Sequence, residues 1–196
     1  RQRQMCKETG THPWSLQGGA AVELEKAIGQ GTASYLSEAL SEIGRTTHTG
    51  LDPVFYQAPS AITTQGYEQA IPLVTGESVR DYGIHPDLAT IFPYDSLGNS
   101  IEPHTEESRL FWAMRKLLKT RRDFGATPEE RRLRWFDHSM FFPNRFRTRL
   151  GIAFAFVATH NHFVLDRGGK VFNRSAPVIK LPADATEDDH LELLGV

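Results

Sequence analysis

Apolar residues recur along this chain at two periods, and the switching between them predicts its elements. Ala20, Leu24, Ala27 and Ile28 fall at helical spacing between Gly18-Gly19 and Gly29-Gln30-Gly31, which predicts one short helix. Tyr35, Leu36, Ala39 and Leu40 predict a second, stopping near Gly44. From about Val54 to Tyr94, short apolar runs punctuated by Gly and Pro predict a mixed sheet, with strands at Ile71–Val74 and Leu88–Asp95 and a turn at Gly76. Between Thr105 and Arg122 the set Leu110, Phe111, Met114, Leu117 and Leu118 predicts one amphipathic helix. If that stripe is buried throughout, Leu117→Ala would cost ~2 to 5 kcal/mol. Thr127-Pro128-Glu129-Glu130 has the form of a capping box with Pro at the first helical position, so a further helix is expected to about Phe136.

The last third returns to a period of two. Arg145, Arg147 and Arg149 alternate into Leu150, Ile152, Ala153, Phe154, Phe156 and Val157, which predicts a strand launched from three cations. Phe163-Val164-Leu165 and Ala176–Leu181 predict two more, and Gly168-Gly169 a hairpin turn between strands. Thr186, followed by Glu187, Asp188 and Asp189, is placed to cap a final helix. The fold class that follows is α+β: mixed small sheets with flanking helices. Residues 1–14 read as a tail or linker, 15–183 as one domain, and 184–196 as the start of a helix cut by the end of the chain. With an opening Arg1 in place of Met, an excised piece of a larger protein is the expectation.

Composition narrows the class. A hydrophobic fraction of 39% and no apolar run near the ~20 residues of a membrane span point to a globular domain with no membrane partner. Arg1-Gln2-Arg3-Gln4-Met5 has no apolar segment behind it, so it is no secretory signal. One cysteine, Cys6, fits a reducing compartment, and a cytoplasmic location is expected. The net charge of −2 is unevenly spread. Residues 109–149 carry 12 Lys and Arg against 4 Asp and Glu, leaving 10 basic against 20 acidic elsewhere. That asymmetry suits a polyanion on one face; its plainer reading is a solvated helix pair.

Catalytic chemistry is harder to find. His160-Asn161-His162 offers two imidazoles where a zinc site needs about four ligands, and a histidine pair bonding backbone or phosphate is the better reading. Gly168-Gly169-Lys170 lacks the first Gly and the Ser/Thr of a phosphate-binding loop. Phe92-Pro93-Tyr94 and Phe142-Pro143-Asn144 only echo the Asn/Asp-Pro-Pro-Tyr/Phe element of adenine N6 methyltransferases. No metal and no catalytic residue is assigned.

One long stretch carries a resemblance. His160–Arg174, followed by Pro177-Val178-Ile179-Lys180-Leu181-Pro182, resembles the C-terminal part of the BREX (phage-growth-limitation) type adenine-specific DNA methyltransferases. These are similar to the fused type IIG restriction-modification enzymes, in which a specificity region follows the methyltransferase domain. Ile43–Tyr56, Ile71–Tyr82 and Leu88–Asp95 resemble the opening of the target-recognition domain in those enzymes. The resemblance implies a target-recognition fold that reads double-stranded DNA in antiviral defence. Its implied partners are the upstream methyltransferase domain of the same protein and other BREX components. S-adenosylmethionine would belong to that missing domain, and no cofactor to this piece.

On that reading Arg45, Thr47, His48 and Arg80 are the candidates for reading base edges. Arg145, Arg147, Arg149, His160, His162, Arg167, Lys170 and Arg174 are the candidates for phosphates. The alternative function is a protein-interaction module that docks another defence component through its basic face.

Overall fold

The computed structural model describes residues 21–31, 35–81 and 83–195. Gly18, Gly19, Ala20 and the expected tail, residues 1–14, lie outside the described residues. The chain divides into two compact units, Arg1–Glu38 and Ala39–Val196. The first holds α1 (Ala21–Gly31), the helix that the Leu24 and Ile28 spacing predicts. A four-residue helix, α2 (Leu36–Ala39), lies across the boundary.

In the second unit the elements follow in the order β1 (Glu42–Gly44), β2 (Thr47–His48), α3 (Asp52–Phe55), β3 (Tyr56–Gln57), α4 (Pro59–Gln65), β4 (Ala70–Val74), β5 (Val79–Arg80), β6 (Gly83–Ile84) and β7 (Leu88–Ile91). Then come α5 (Thr105–Ala113), α6 (Arg115–Thr120), β8 (Met140–Phe141), α7 (Pro143–Arg147), β9 (Gly151–Phe154), β10 (Phe163–Asp166), β11 (Val171–Phe172), β12 (Val178–Lys180) and α8 (Glu187–Leu194). The fold is α+β, with helices flanking several small sheets.

One four-stranded sheet runs β1-β12-β9-β10, antiparallel throughout. Its register sets Ile43 opposite Ile179, Ile179 opposite Ile152, and Ile152 opposite Leu165. A second runs β11-β4-β7-β3, with β11 parallel to β4. The expected separation into an early and a late sheet is therefore corrected: β11, from the late block, extends the early sheet. The Gly168-Gly169 turn joins no hairpin, because β10 stays at the edge of the first sheet while β11 enters the second. Both glycines have positive φ, 88° and 75°, which lets the chain reverse tightly between layers. Val74, Val79, Ala153, Val164, Phe172 and Val178 fill the space where strands of both sheets meet.

Four local expectations change for identifiable reasons. Residues 42–44 are a strand instead of a helix end, since their backbone pairs with β12. Arg145 and Arg147 sit on a helical turn that opens at Pro143, not on a strand. That turn carries Phe146 against Phe92 at 5.0 Å and Phe141 at 5.6 Å, and this packing outweighs the alternating arginine pattern. No helix follows Thr127. The capping bonds form, with Glu130 accepting from the Thr127 N–H at 2.7 Å, but Arg132 takes φ 59° and the Leu133 N–H reaches back to Pro128 O. The reversal brings Trp135 and Phe136 onto Phe111.

The long amphipathic helix breaks at Met114, where φ is −95° and ψ 8°. Phe111 and Leu118, seven residues apart, both bury fully on one face, while Leu117, turned about 100° from Leu118, is left 55% exposed. Leu117→Ala should accordingly change stability by no more than about 0.5 kcal/mol in a thermal melt. A loss above 2 kcal/mol would mean that α6 is rotated from this position.

Candidate nucleic-acid interface

Each candidate residue can be placed by what its side chain touches. Thr47 is fully buried. Its hydroxyl meets His138 Nδ1, while His138 Nε2 lies 2.9 Å from Ile91 O. A carbonyl only accepts, so Nε2 carries the proton, Nδ1 is bare, and the Thr47 hydroxyl must donate to it. Burial keeps that imidazole neutral by lowering its pKa to about 3. Thr47 thus holds the core together and presents nothing to a ligand in this conformation.

Arg45 is half-buried, with Nη2 3.1 Å from Met140 Sδ. Arg145 spans the neighbouring strand: Nε lies 2.8 Å from a Glu42 carboxylate oxygen, and Nη1 donates to Arg45 O at 2.8 Å. Arg80 folds back to donate to the carbonyls of Gly76 and Val79. Arg167 pairs with Glu187 at 2.6 Å, Lys170 with Asp166 at 2.7 Å, and Arg149 Nε donates to Arg167 O at 3.1 Å. Arg147 donates to the Asn144 side chain at 3.4 Å. His160 lies on the exposed β9–β10 loop, and His162 Nδ1 accepts from the Asp81 N–H at 3.5 Å. Arg174 is exposed, with no side-chain partner among the described residues.

The register divides these residues between two ends of the sheets. β1 and β9 point Gly44 and Phe154 to one end, where β10 begins at Phe163. Arg45, Arg80, His160, His162 and Arg174 gather there, tied by bonds from Gly76 N–H to the Ser175 hydroxyl and from Phe156 N–H to Ser175 O. Arg149, Arg167 and Lys170 cluster at the opposite end, beside α8. His48 belongs to neither group. On β2 it turns toward Asp123, with Nε2 3.7 Å from the carboxylate.

That contact leads to a strip the alternating-arginine pattern did not single out. Trp112 is 64% exposed at the end of α5, under the guanidinium of Arg115 at 4.3 Å. Lys116 and Lys119 follow on α6, one helical turn apart, exposed and without side-chain partners among the described residues. Lys119 also lines an open groove of about 630 Å³ with Arg132, Arg134 and Trp135, which Glu102 and Glu129 line as well, Glu102 pairing with Arg134 at 3.1 Å. Arg132 is exposed and likewise unpartnered among the described residues. Phe124, 79% exposed, projects from the turn after α6. The available signal was Trp112 standing off the apolar stripe within the most basic segment.

Not every cation of that segment faces solvent. Arg121 is buried, with its pKa lowered to about 10 by desolvation, and donates to Asp137 O beneath the turn. Arg131 donates to Ser139 O at 2.6 Å. These two hold the turn in place, and Lys116, Lys119 and Arg132 remain free to meet anionic oxygens.

One sequence feature passed over is Asp52-Pro53-Val54-Phe55, nearer than the other echoes to an Asn/Asp-Pro-Pro-Tyr/Phe element. Its Phe55 is fully buried, 5.3 Å from Phe111 and 4.9 Å from His138 by ring centroids. The Asp52 carboxylate accepts the Thr49 hydroxyl. An aromatic so placed packs the core instead of stacking on a base. Among the described residues no group of three or more His, Cys, Asp or Glu could hold a metal ion, and no helix is long and apolar enough to cross a membrane.

Comparison with known proteins gives an informative match. It is the adenine-specific methyltransferase PglX of Streptomyces coelicolor, 33% identical over 189 residues. The chain is similar to part of a methyltransferase. That similarity takes in 94% of this chain, while the chain spans only 16% of the length of PglX. No protein-family profile matches. Because nearly the whole chain aligns, α5, α6 and both sheets fall within the part it shares with PglX.

Proposed function

We propose that residues 39–195 are a double-stranded DNA recognition region of an adenine-specific methyltransferase in a phage-defence system of the BREX or restriction-modification kind. The observation that carries this reading is the exposed strip of unpartnered cations beside exposed aromatics on α5, α6 and the following turn. The similarity to PglX supplies the class of reaction it would serve.

Phosphates would lie against Lys116, Lys119 and Arg132 and fix the register of the duplex. At one end of the sheets Arg45 and Arg80 would reach base edges by leaving Met140 and the Gly76 and Val79 carbonyls. His160, His162 and Arg174 would meet phosphates there, and His48 would read bases beside the strip. Arg145, Arg149, Arg167 and Lys170 meet DNA only by exchanging partners they already have. The methyl donor S-adenosylmethionine binds the methyltransferase domain elsewhere in the longer protein, in the cytoplasm. This piece chooses the site and makes no bond.

Salt dependence tests the reading. Each neutralised phosphate contributes about −0.9 to the slope of log K against log salt, so duplex binding by the chain should weaken steeply as salt rises. Lys116→Ala with Lys119→Ala should flatten the slope by about 2 for all sequences alike. Binding that ignores salt, or a slope the double variant leaves unchanged, would refute the assignment. A second reading has one observation in its favour: Leu117 lies exposed on the same helix as the two lysines, as in a surface that docks an acidic protein. That reading expects no retention of duplex at any salt.

A further inference from the structure

Directly after α6 the backbone reverses within two residues. The Asp123 N–H donates to Ala126 O at 3.0 Å and the Ala126 N–H to Asp123 O at 3.2 Å. The two central residues, Phe124 and Gly125, have φ of 54° and 79°. Positive φ at both central positions is the signature of a type I′ turn, whose first position ordinarily takes Asn, Asp or Gly. A phenylalanine there is strained, because its Cβ crowds the backbone in the left-handed region. Its ring gains little in return, since it is 79% exposed. Strain combined with an exposed ring points to a role outside the stability of the fold.

The base of the turn is fastened. The Asp123 carboxylate lies 3.6 Å from Arg131 Nη1 and 3.7 Å from His48 Nε2. Arg122 donates to Gly125 O at 2.6 Å, and buried Arg121 donates to Asp137 O. The aromatic is therefore presented at a fixed height on a narrow, rigid support, with Arg122 and Lys119 near it in the chain.

We propose that Phe124 is a wedge that enters the base stack of a bound duplex. One ring on a thin turn offers too little apolar area to dock a protein, which needs a patch of several hundred Å². It matches the gap between two base pairs, where apolar side chains partly unstack a step and kink the helix. Cations beside the ring then meet the phosphates flanking the opened step. The inference rests on the DNA reading above and adds the residue that deforms the duplex.

The test uses the 196-residue chain and a pool of 30-base-pair duplexes randomised at central positions. Retained duplexes are treated with permanganate, which oxidises unstacked thymines, and sequenced. The unaltered chain should bind and raise thymine reactivity at a fixed offset. Phe124→Ala should bind at least about tenfold more weakly and abolish that reactivity, whereas Phe124→Trp should keep both. A melting temperature that does not fall in Phe124→Ala shows that the fold is intact. Full affinity and full reactivity in Phe124→Ala would overturn the wedge and leave the DNA reading standing. Failure of the unaltered chain to retain any duplex would overturn both.

Discussion

Replacing Phe111 by alanine is expected to cost about 3 to 5 kcal/mol, a large share of the roughly 5 to 15 kcal/mol that holds a domain folded. Phe111 is fully buried on α5, 5.3 Å from Phe55, 6.2 Å from Phe136 and 6.5 Å from Trp135 by ring centroids. Three separate pieces of chain meet on that one ring: α3, the turn after Thr127, and α5 itself. No neighbour can swing in to fill the space, because Phe55 is also held by His138 and Phe136 by Trp135. The consequence reaches the strip, since α6 follows α5 with only Met114 between them and its Leu118 packs in the same cluster. Denaturant unfolding measures the loss directly. A cost below about 1 kcal/mol would mean that the cluster is not the keystone of this half of the unit.

Acid should destabilise the unit through His138, and the sign follows from its neutral state. Burial lowers the folded pKa to about 3 from an ordinary 6.5, so between those values the unfolded chain binds a proton that the folded chain does not. The stability tied to this residue is complete above about pH 6.5 and is lost as pH falls toward 3, by roughly 4 to 5 kcal/mol in all. Protonation would also set an N–H against the Thr47 hydroxyl, which now donates to Nδ1, and force it to turn away. Unfolding free energy measured from pH 7 to pH 4 should decline over that window. His138→Gln should lower stability at pH 7 and flatten the decline. A flat profile in the unaltered chain would show that the imidazole reaches solvent.

Much of the skeleton could be read from the residues, and the reasons for success and failure differ by element. The strands β7, β9 and β12 were legible because each buries its own apolar run, and β10 because its apolar residues adjoin a Gly turn although only Val164 of them is buried. The α8 cap was legible too: the Thr186 hydroxyl accepts from the Asp189 N–H at 3.2 Å, as the local pattern requires. The two-residue strands β2, β5, β6 and β11 were not, since partners outside the strand itself define them and no periodicity develops in so short a span. The helix expected after Thr127 had every local signal, and its sequel was decided by Trp135 and Phe136 reaching Phe111.

The candidate site was less legible than the fold. Cationic residue types could be counted, but their availability depends on partners distant in sequence, such as Glu42 for Arg145 and Glu187 for Arg167. Lys116 and Lys119 differ from these in making no ion pair among the described residues, although Glu102 and Glu129 line the same groove as Lys119, and no sequence pattern signals that difference. Asp123-Phe124-Gly125 could have been recognised, because a Gly following a helix end between polar residues marks a tight turn. That the residue before it is an exposed aromatic became clear only from the backbone.

The central claim is that this chain selects where on a duplex another domain acts. Its most direct measurement is sequence enrichment: the chain is incubated with a pool of randomised duplexes at physiological salt, and the retained molecules are sequenced over successive rounds. The account predicts that one short motif rises through the rounds and that Lys116→Ala with Lys119→Ala lowers total retention without changing it. Retention of the pool with no motif enriched, or a motif that changes when only those two lysines are removed, would contradict it.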